Sequence, residues 1–191
     1  MISLGIDLAG SEKRKTGVCI LKNSLEAYVK TVFLDKEIID IALEYNPNVI
    51  AIDAPLTLPR DRVSLYEKGG SHLRECDRKL LKMGIKILPL TLGGMRKLTM
   101  RGIRLRNKLQ KLGYRVIEVY PGAAQDILGL PRSKNIEGLR DGLKSIGIKN
   151  IENANRDELD AVTAAYIGYL FLLGRVFIVR GEDGEIVLPL V

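Results

Sequence analysis

The length, composition and charge of this chain restrict both its architecture and its chemistry. The chain has 191 residues, of which 46% are apolar, enough for one domain with a complete core. A single histidine argues against Ser-His-Asp and Cys-His catalysis and against zinc-protease sites. Two cysteines in different predicted elements form neither a disulfide framework nor a Cys-x-x-Cys motif, and the net charge of +7 suits an anionic partner.

No targeting or membrane segment is predicted. A strand begins at Ile2 without a basic leader or the apolar core of a secretory signal, so we expect a cytoplasmic protein. The longest apolar stretch, Ala161 to Gly174, is too short to span a bilayer and predicts a buried helix.

The first half of the chain predicts three antiparallel strands, a helix and a fourth strand, over residues 2–8, 15–22, 25–33, 35–45 and 48–53. Short polar turns separate the first three strands. Asp35 is the expected N-cap of the helix. Pro55 and Pro59 then end regular structure, so residues 54–92 are predicted to be an insertion.

The second half predicts helices and two further strand regions. Short helices are expected near 71–83, 122–129 and 136–145, with longer helices at 94–112 and 156–173 and a strand at 114–120. Asp183-Gly184 is typical of the turn of a small C-terminal hairpin. We therefore expect one α/β domain over residues 1–191, with a mixed five-stranded sheet flanked by helices.

Four aspartates stand at positions where a carboxylate is costly. Asp7 and Asp53 each follow an apolar strand, and Asp157 and Asp160 open the late apolar helix. Burying an ionised carboxylate is unfavourable unless it is paired or holds a cation, and ligands bind at strand ends in α/β sheets. Because the chain has only one histidine to supply a nitrogen ligand, a cluster of carboxylates favours Mg²⁺ or Mn²⁺.

The strand-end acids also have structural explanations. Asp7 could begin a turn toward Gly10, and Asp53 could form one with Pro55. A site role is favoured for both, since Asp7 shares a strand face with Gly5 and Asp53 ends a strand that is apolar on both faces.

The case for a role in the site is weaker for Asp157 than for Asp160. Asn155 and Glu158 form a capping box, and first-turn acids such as Asp157 are favoured by the helix dipole alone. Asp160 lies deeper, about 4.5 Å along the axis from Asp157 on the same side of the helix. Glu118, on the strand at 114–120, is predicted either as a further metal ligand or as a structural carboxylate.

Positive charge is concentrated in one segment. Residues 60–111 contain 15 Lys or Arg and 4 Asp or Glu, whereas the rest of the chain contains 15 and 19. Basic residues follow one side of the predicted helix beside a leucine stripe, at Lys97, Arg101, Arg104, Lys108 and Lys111. A solvated charged face is the plain explanation, but the near absence of interspersed acids favours a phosphate backbone as partner.

Five segments in this order resemble the family called domain of unknown function 429: Gly5–Gly10, Ala51–Pro55, Arg74–Arg78, Glu118–Pro121 and Asp157–Ala161. The resemblance covers nearly the whole chain. It implies a ribonuclease H-like fold, in which RuvC-type resolvases place metal-binding acids at these positions.

The resemblance also implies a predicted nuclease activity on DNA or RNA. In that hypothesis Asp7 bridges two Mg²⁺ or Mn²⁺ ions about 4 Å apart, Asp53 and Asp160 complete the coordination, and Asp157 assists. Five basic residues would hold the nucleic-acid backbone, namely Arg74, Arg78, Lys97, Arg101 and Arg104.

Two other functions stay open at this point. One is a non-catalytic nucleic-acid-binding or protein-binding module that keeps the metal site. The other is a nucleotide-binding ATPase-like domain, since the turn Asp7–Gly10 also occurs in sugar kinases and actin-like ATPases, although the chain has no P-loop. The sequence decides neither DNA against RNA nor monomer against homodimer.

Overall fold

The strands form one five-stranded sheet and one separate hairpin. A computed structural model describes residues 1–191. Its strands are β1 (Ile2–Asp7), β2 (Thr16–Lys22), β3 (Ala27–Val32), β4 (Val49–Asp53), β5 (Val116–Glu118), β6 (Val176–Gly181) and β7 (Gly184–Pro189). Its helices are α1 (Asp35–Tyr45), α2 (Glu75–Lys82), α3 (Gly93–Lys111), α4 (Pro121–Ile127), α5 (Ile136–Ser145) and α6 (Arg156–Leu172).

The large sheet is mixed, with strand order β3-β2-β1-β4-β5. The first three strands are antiparallel neighbours, whereas β4 and β5 run parallel to β1. Because β1 and β4 run the same way, Asp7 and Asp53 end their strands at the same edge of the sheet. The predicted mixed five-stranded α/β sheet with flanking helices is confirmed.

Alternating side chains of the strands build a core on each face of the sheet. Val18 and Ile20 of β2 join a cluster with α1 and α3, whereas Cys19 and Leu21 join a cluster with α5 and α6. This two-sided burial explains why β1, β2 and β4 are almost entirely apolar.

Helix α6 lies unusually close to the middle of the sheet because two glycines leave room for its backbone. A Cβ atom on Gly5 of β1 would lie 2.1 Å from the carbonyl oxygen of Ala161, and one on Gly17 of β2 would lie 2.1 Å from that of Asp157. Any side chain at these two positions would push the helix away. The glycines therefore set the distance between the first turns of α6 and the end of β1.

The start of α6 is fixed by its cap. Asn155 accepts a hydrogen bond from the amide of Glu158, whose carboxylate accepts one from the amide of Asn155, so the predicted capping box is confirmed. The hydroxyl of Thr31 on β3 also donates to Glu158 at 2.9 Å. These hydrogen bonds fix the orientation of the start of α6 about its axis, and therefore which of its side chains face the sheet.

Some element boundaries differ from the sequence prediction. The N-cap position of helix α1 is Leu34, which makes no side-chain cap, and Asp35 is the next residue, whose carboxylate binds Arg101 at 2.9 Å. A tertiary ion pair has replaced the local capping role there. Strand β5 is only three residues long, and the hairpin turn consists of Glu182 and Asp183.

None of the helices combines the length and the apolar character that crossing a bilayer requires.

The close packing of α6 predicts that Gly5→Ala is destabilising although it adds one methyl group. The new Cβ would overlap backbone atoms, which cannot rotate away. We expect the free energy of unfolding to fall by about 1–3 kcal/mol, measured by chemical denaturation. Gly93→Ala is the matched control because no atom lies within 4 Å of its Cβ position, and it should leave stability unchanged or slightly higher. Equal effects of the two substitutions would contradict this packing.

Candidate functional site

Two aspartates lie side by side at the carboxyl edge of the sheet. Asp7 and Asp53 are direct partners in the parallel register of β1 and β4, whose backbones are about 4.8 Å apart in any sheet. Both residues are partly buried, and neither carboxylate accepts a hydrogen bond from any group of the protein. The chain therefore places two partnerless acids next to each other.

Helix α6 adds two more acids to the same edge. Asp160 is partly buried and accepts a hydrogen bond from the side-chain amide of Gln125 at 2.8 Å. Asp157 lines the same cavity as Asp7. The four predicted acids thus come from three elements that are distant in sequence and adjacent in space.

The environment of Asp7, Asp53 and Asp160 opposes the ionisation of their carboxyl groups. Burial, followed by the charges of Asp160 and Asp157, raises the pKa of Asp7 to about 7, although Arg156 acts in the opposite direction. Burial and the charge of Asp7 raise the pKa of Asp53 well above its ordinary value. Burial also raises the pKa of Asp160. A nearby cation would remove this cost.

A complete cation cage is not preformed, since no three Asp, Glu, His or Cys side chains converge closely enough to hold a metal ion. The donors nevertheless fit a hard divalent cation. They are all carboxylate oxygens, at least two lack any protein partner, and the pKa values of Asp7 and Asp53 are raised first by burial and then by neighbouring negative charge. Side-chain rotations of Asp7, Asp53, Asp157 and Asp160 would be needed to complete the coordination.

Glu118 does not belong to this set of free donors, which corrects its prediction as a metal ligand. Arg74 donates to both of its carboxylate oxygens, at 2.6 and 2.7 Å, and the amide of Leu56 donates to one of them at 2.8 Å. Asp77 binds the other side of the same guanidinium. Glu118 is therefore the structural partner of a buried cation.

The same contacts contradict the prediction that Arg74 holds nucleic acid. Its side chain is 1% exposed, and all five of its N–H groups donate to Asp77, Glu118 and Thr57. Breaking a buried pair of this kind is costly. Arg74 joins the segment that precedes α2 to the end of β5.

Arg101 is a second basic residue that the structure turns inward. It is 2% exposed and donates to the carboxylate of Asp35 and to the backbone carbonyls of Phe33 and Ala9, the last at 2.7 Å. The prediction that it binds nucleic acid is therefore wrong. It instead fixes the loop that follows Asp7.

A basic cavity of about 1170 Å³ adjoins the carboxylates. Its walls include Asp7, Asp157 and cationic side chains from the β1–β2 loop and from the start of α3. These cations are Lys13, Arg14, Lys15, Arg96 and Lys97. Only Lys97 was predicted from the sequence, although three consecutive basic residues directly after the Asp7 turn are a signal for the loop.

The remaining two predicted basic residues are exposed but differ in position. Arg104 lies on the outer face of α3. Arg78 lines a shallow depression with Arg60, Asp61 and Asp183, and its guanidinium donates to the carbonyl of Leu73 at 2.9 Å. Neither lines the basic cavity.

The solved structures to which the chain is similar include two of RuvC from Thermus thermophilus. The RuvC structure aligns with a TM-score of 0.51 at 12% identity, covering 97% of this chain and 99% of that chain. RuvC in complex with a Holliday junction substrate gives a TM-score of 0.47 at 13% identity over the same shares. The first comparison shows a shared fold, which agrees with the predicted ribonuclease H-like architecture.

No curated protein is significantly similar to the chain in sequence. The family model described as "Protein of unknown function (DUF429)" matches residues 5–183, which include all four aspartates of the carboxylate site. The chain therefore belongs to the DUF429 family, whose activity that description leaves open.

Proposed function

We propose that this protein is a metal-dependent nuclease that hydrolyses phosphodiester bonds at Asp7, Asp53, Asp157 and Asp160. The observation that carries the proposal is the register of β1 and β4, which sets two partnerless carboxylates side by side at the edge of the sheet. The basic cavity beside them supports a polyanionic substrate.

The role of each acid follows from its position. Asp7 and Asp53 are on rigid strands and would hold Mg²⁺ or Mn²⁺, with Asp160 and Asp157 approaching from α6. When bound, such ions activate water and stabilise the charge on the phosphoryl oxygens. Gln125 orients Asp160, and Arg101 fixes the backbone two residues beyond Asp7.

The basic cavity gives the substrate backbone a path to the acids. Lys13 and Lys15 of the β1–β2 loop and Lys97 of α3 line it, and Asp7 is part of its wall. Phosphate contacts of this kind position a nucleic acid without reading its sequence. We therefore expect binding that depends strongly on salt and weakly on base sequence.

A second candidate function is a nucleic-acid-binding module whose acids hold a metal without catalysis. The observation that supports it is the basic cavity, which would hold a nucleic-acid backbone whether or not the neighbouring acids catalyse hydrolysis. Cleavage decides between the two, because both predict binding of metal and of nucleic acid.

Cleavage of single-stranded, duplex, hybrid and branched DNA and RNA should require Mg²⁺ or Mn²⁺ and should be lost in Asp7→Asn. Loss of a metal-binding acid removes several kcal/mol of transition-state stabilisation, so we expect at least about a 100-fold lower rate. Nucleic-acid affinity should persist or improve, since a negative charge disappears from the cavity.

Asp141→Asn is the matched control for this substitution. Asp141 is exposed on α5 and forms no ion pair, so its substitution should leave the cleavage rate unchanged. Equal activity of Asp7→Asn and wild type would contradict the assigned site. Metal-dependent binding without cleavage of any substrate would favour the binding module.

Asp7 should also make stability depend on pH in the absence of metal. Its pKa of about 7 in the folded protein exceeds the ordinary value of 3.8, so between these values the folded state keeps a proton that the unfolded chain has lost. Stability that is present below pH 4 is therefore lost as the pH rises through 7. At pH 8 in EDTA, Asp7→Asn should melt at a higher temperature than wild type, and the difference should shrink toward pH 4.

Metal should reverse this loss in wild type only. Mn²⁺ at pH 8 should raise the melting temperature of wild type and have little effect on Asp7→Asn, because ligand binding stabilises the state that binds it. An equal shift in both proteins would place the metal elsewhere.

The proposed path of the nucleic-acid backbone through the basic cavity predicts that substitutions of two lysines on α3 affect nucleic-acid binding differently. Lys97 lines the basic cavity, whereas Lys111 is exposed about 21 Å further along the helix. Lys97→Gln should weaken nucleic-acid binding and reduce the slope of log affinity against log salt by about one. Lys111→Gln should change neither quantity. A larger loss of affinity in Lys111→Gln than in Lys97→Gln would contradict a nucleic-acid path that passes Asp7.

A further inference from the structure

A second cavity, largely apolar, lies against Asp53. Its volume is about 410 Å³, within the range of roughly 300–1,000 Å³ that is usual for small-molecule sites. Its apolar wall includes Leu80, Ile87 and Leu90 from the 54–92 segment and the ring of Tyr120 at the end of β5. The segment therefore builds a chamber beside one of the four proposed catalytic acids.

The apolar cavity and the basic cavity are neighbours with a shared wall of apolar residues. Leu88, Met95 and Leu98 line both of them. Asp7 belongs to the wall of the basic cavity and Asp53 to that of the apolar one, and these two residues are partners across β1 and β4. A ligand that fills both cavities needs an anionic part for the lysines and an apolar part beside Asp53. A nucleotide unit has this composition.

Of the two cationic residues on the wall of the apolar cavity, Lys86 is exposed and Arg74 is buried and fully paired within the protein. All five N–H groups of Arg74 donate hydrogen bonds to Asp77, Glu118 and Thr57, so none is free for a ligand. The hydroxyl of Tyr120 donates to the carbonyl of Lys86 at 2.9 Å. The wall therefore offers aliphatic contact and the Tyr120 ring, over which the guanidinium of Arg132 lies 6.0 Å from the ring centroid, and both suit the flat face of any base.

We propose that this cavity receives one unpaired nucleobase of the strand that is cut, while the adjoining phosphate lies at Asp7 and Asp53. The inference rests on the proposed nuclease function and adds a substrate class, which is single-stranded or locally unpaired nucleic acid with little base selectivity. A base in a duplex must leave its stack to enter the cavity, so paired substrates are disfavoured.

The test measures the affinity of the full-length protein for a labelled single-stranded oligonucleotide in Ca²⁺, with an abasic unit placed at each position in turn. Loss of the inserted base should weaken binding about tenfold at one position, the size expected for base–aromatic stacking. Intact duplex should bind more weakly than the single strand at the same salt concentration.

Two substitutions connect this effect to the cavity. Ile87→Trp fills the chamber and should remove the abasic sensitivity while weakening binding of the intact strand. Ile85→Trp is the matched control, because Ile85 packs in the same hydrophobic cluster without lining the cavity, and it should keep the wild-type pattern. Tyr120→Leu removes the aromatic ring but keeps an apolar side chain. It should also reduce the abasic sensitivity, and it tests the cavity independently if Ile87→Trp fails to fold.

The outcomes separate the two proposals. Cleavage and binding that tolerate an abasic unit at every position, or that favour fully paired duplex, would overturn the nucleobase inference and leave the nuclease intact. Abasic sensitivity that survives in both Ile87→Trp and Tyr120→Leu would also overturn it. Absence of both binding and cleavage on every nucleic acid would overturn the proposed function as well.

Discussion

The close contact between α6 and the glycines of β1 and β2 is the constraint on which the site depends. Gly5 and Gly17 let the helix backbone approach to a distance that no other residue permits. That approach brings Asp157 and Asp160 toward the edge where Asp7 and Asp53 already lie together. A carboxylate cluster made from three elements is thus assembled by packing, and burial, together with repulsion from neighbouring carboxylates, raises the pKa values of Asp7, Asp53 and Asp160.

Two buried arginines hold the surroundings of this cluster in place. Arg101 connects α3 to the loop after Asp7 through the carbonyl of Ala9, and to the start of α1 through Asp35. Arg74 connects the 54–92 segment to β5 through Glu118. Both are charge networks with their hydrogen bonds satisfied, a condition for a buried charge to persist. Part of the positive charge of the chain is therefore structural, and only the remainder is available to a polyanion.

The division between structural and available charge explains where sequence reasoning succeeded and where it failed. The strands, the capping box at Asn155 and the approach of Asp7 to Asp53 follow from local patterns and from the rule that parallel strands end at one edge. Helical periodicity placed Arg101 and Lys97 on the same side of α3. Periodicity predicts the side of the helix on which a residue lies, but not whether distant loops cover that side. The carbonyls that surround Arg101 come from distant residues, so its burial could not be predicted.

Glu118 illustrates the same limit. Its position on a strand near the sheet edge was compatible with metal binding, and only the contact with Arg74, 44 residues away in sequence, assigns it a different partner. The apolar cavity beside Asp53 was also beyond sequence reasoning, because its lining comes from α2, the irregular residues 86–90, α3 and β5 together. By contrast, the run of Lys13, Arg14 and Lys15 in the loop after β1 was a sequence signal for this cavity, although the prediction did not use it.

The most direct measurement is the anomalous difference density of a crystal of this protein soaked in Mn²⁺. If the four aspartates form a metal site, a peak will lie within about 2.0–2.4 Å of carboxylate oxygens of both Asp7 and Asp53, with Asp160 turned toward it. A map without a peak at this edge of the sheet, or with Mn²⁺ bound only elsewhere, would contradict the assignment of these carboxylates as a metal centre.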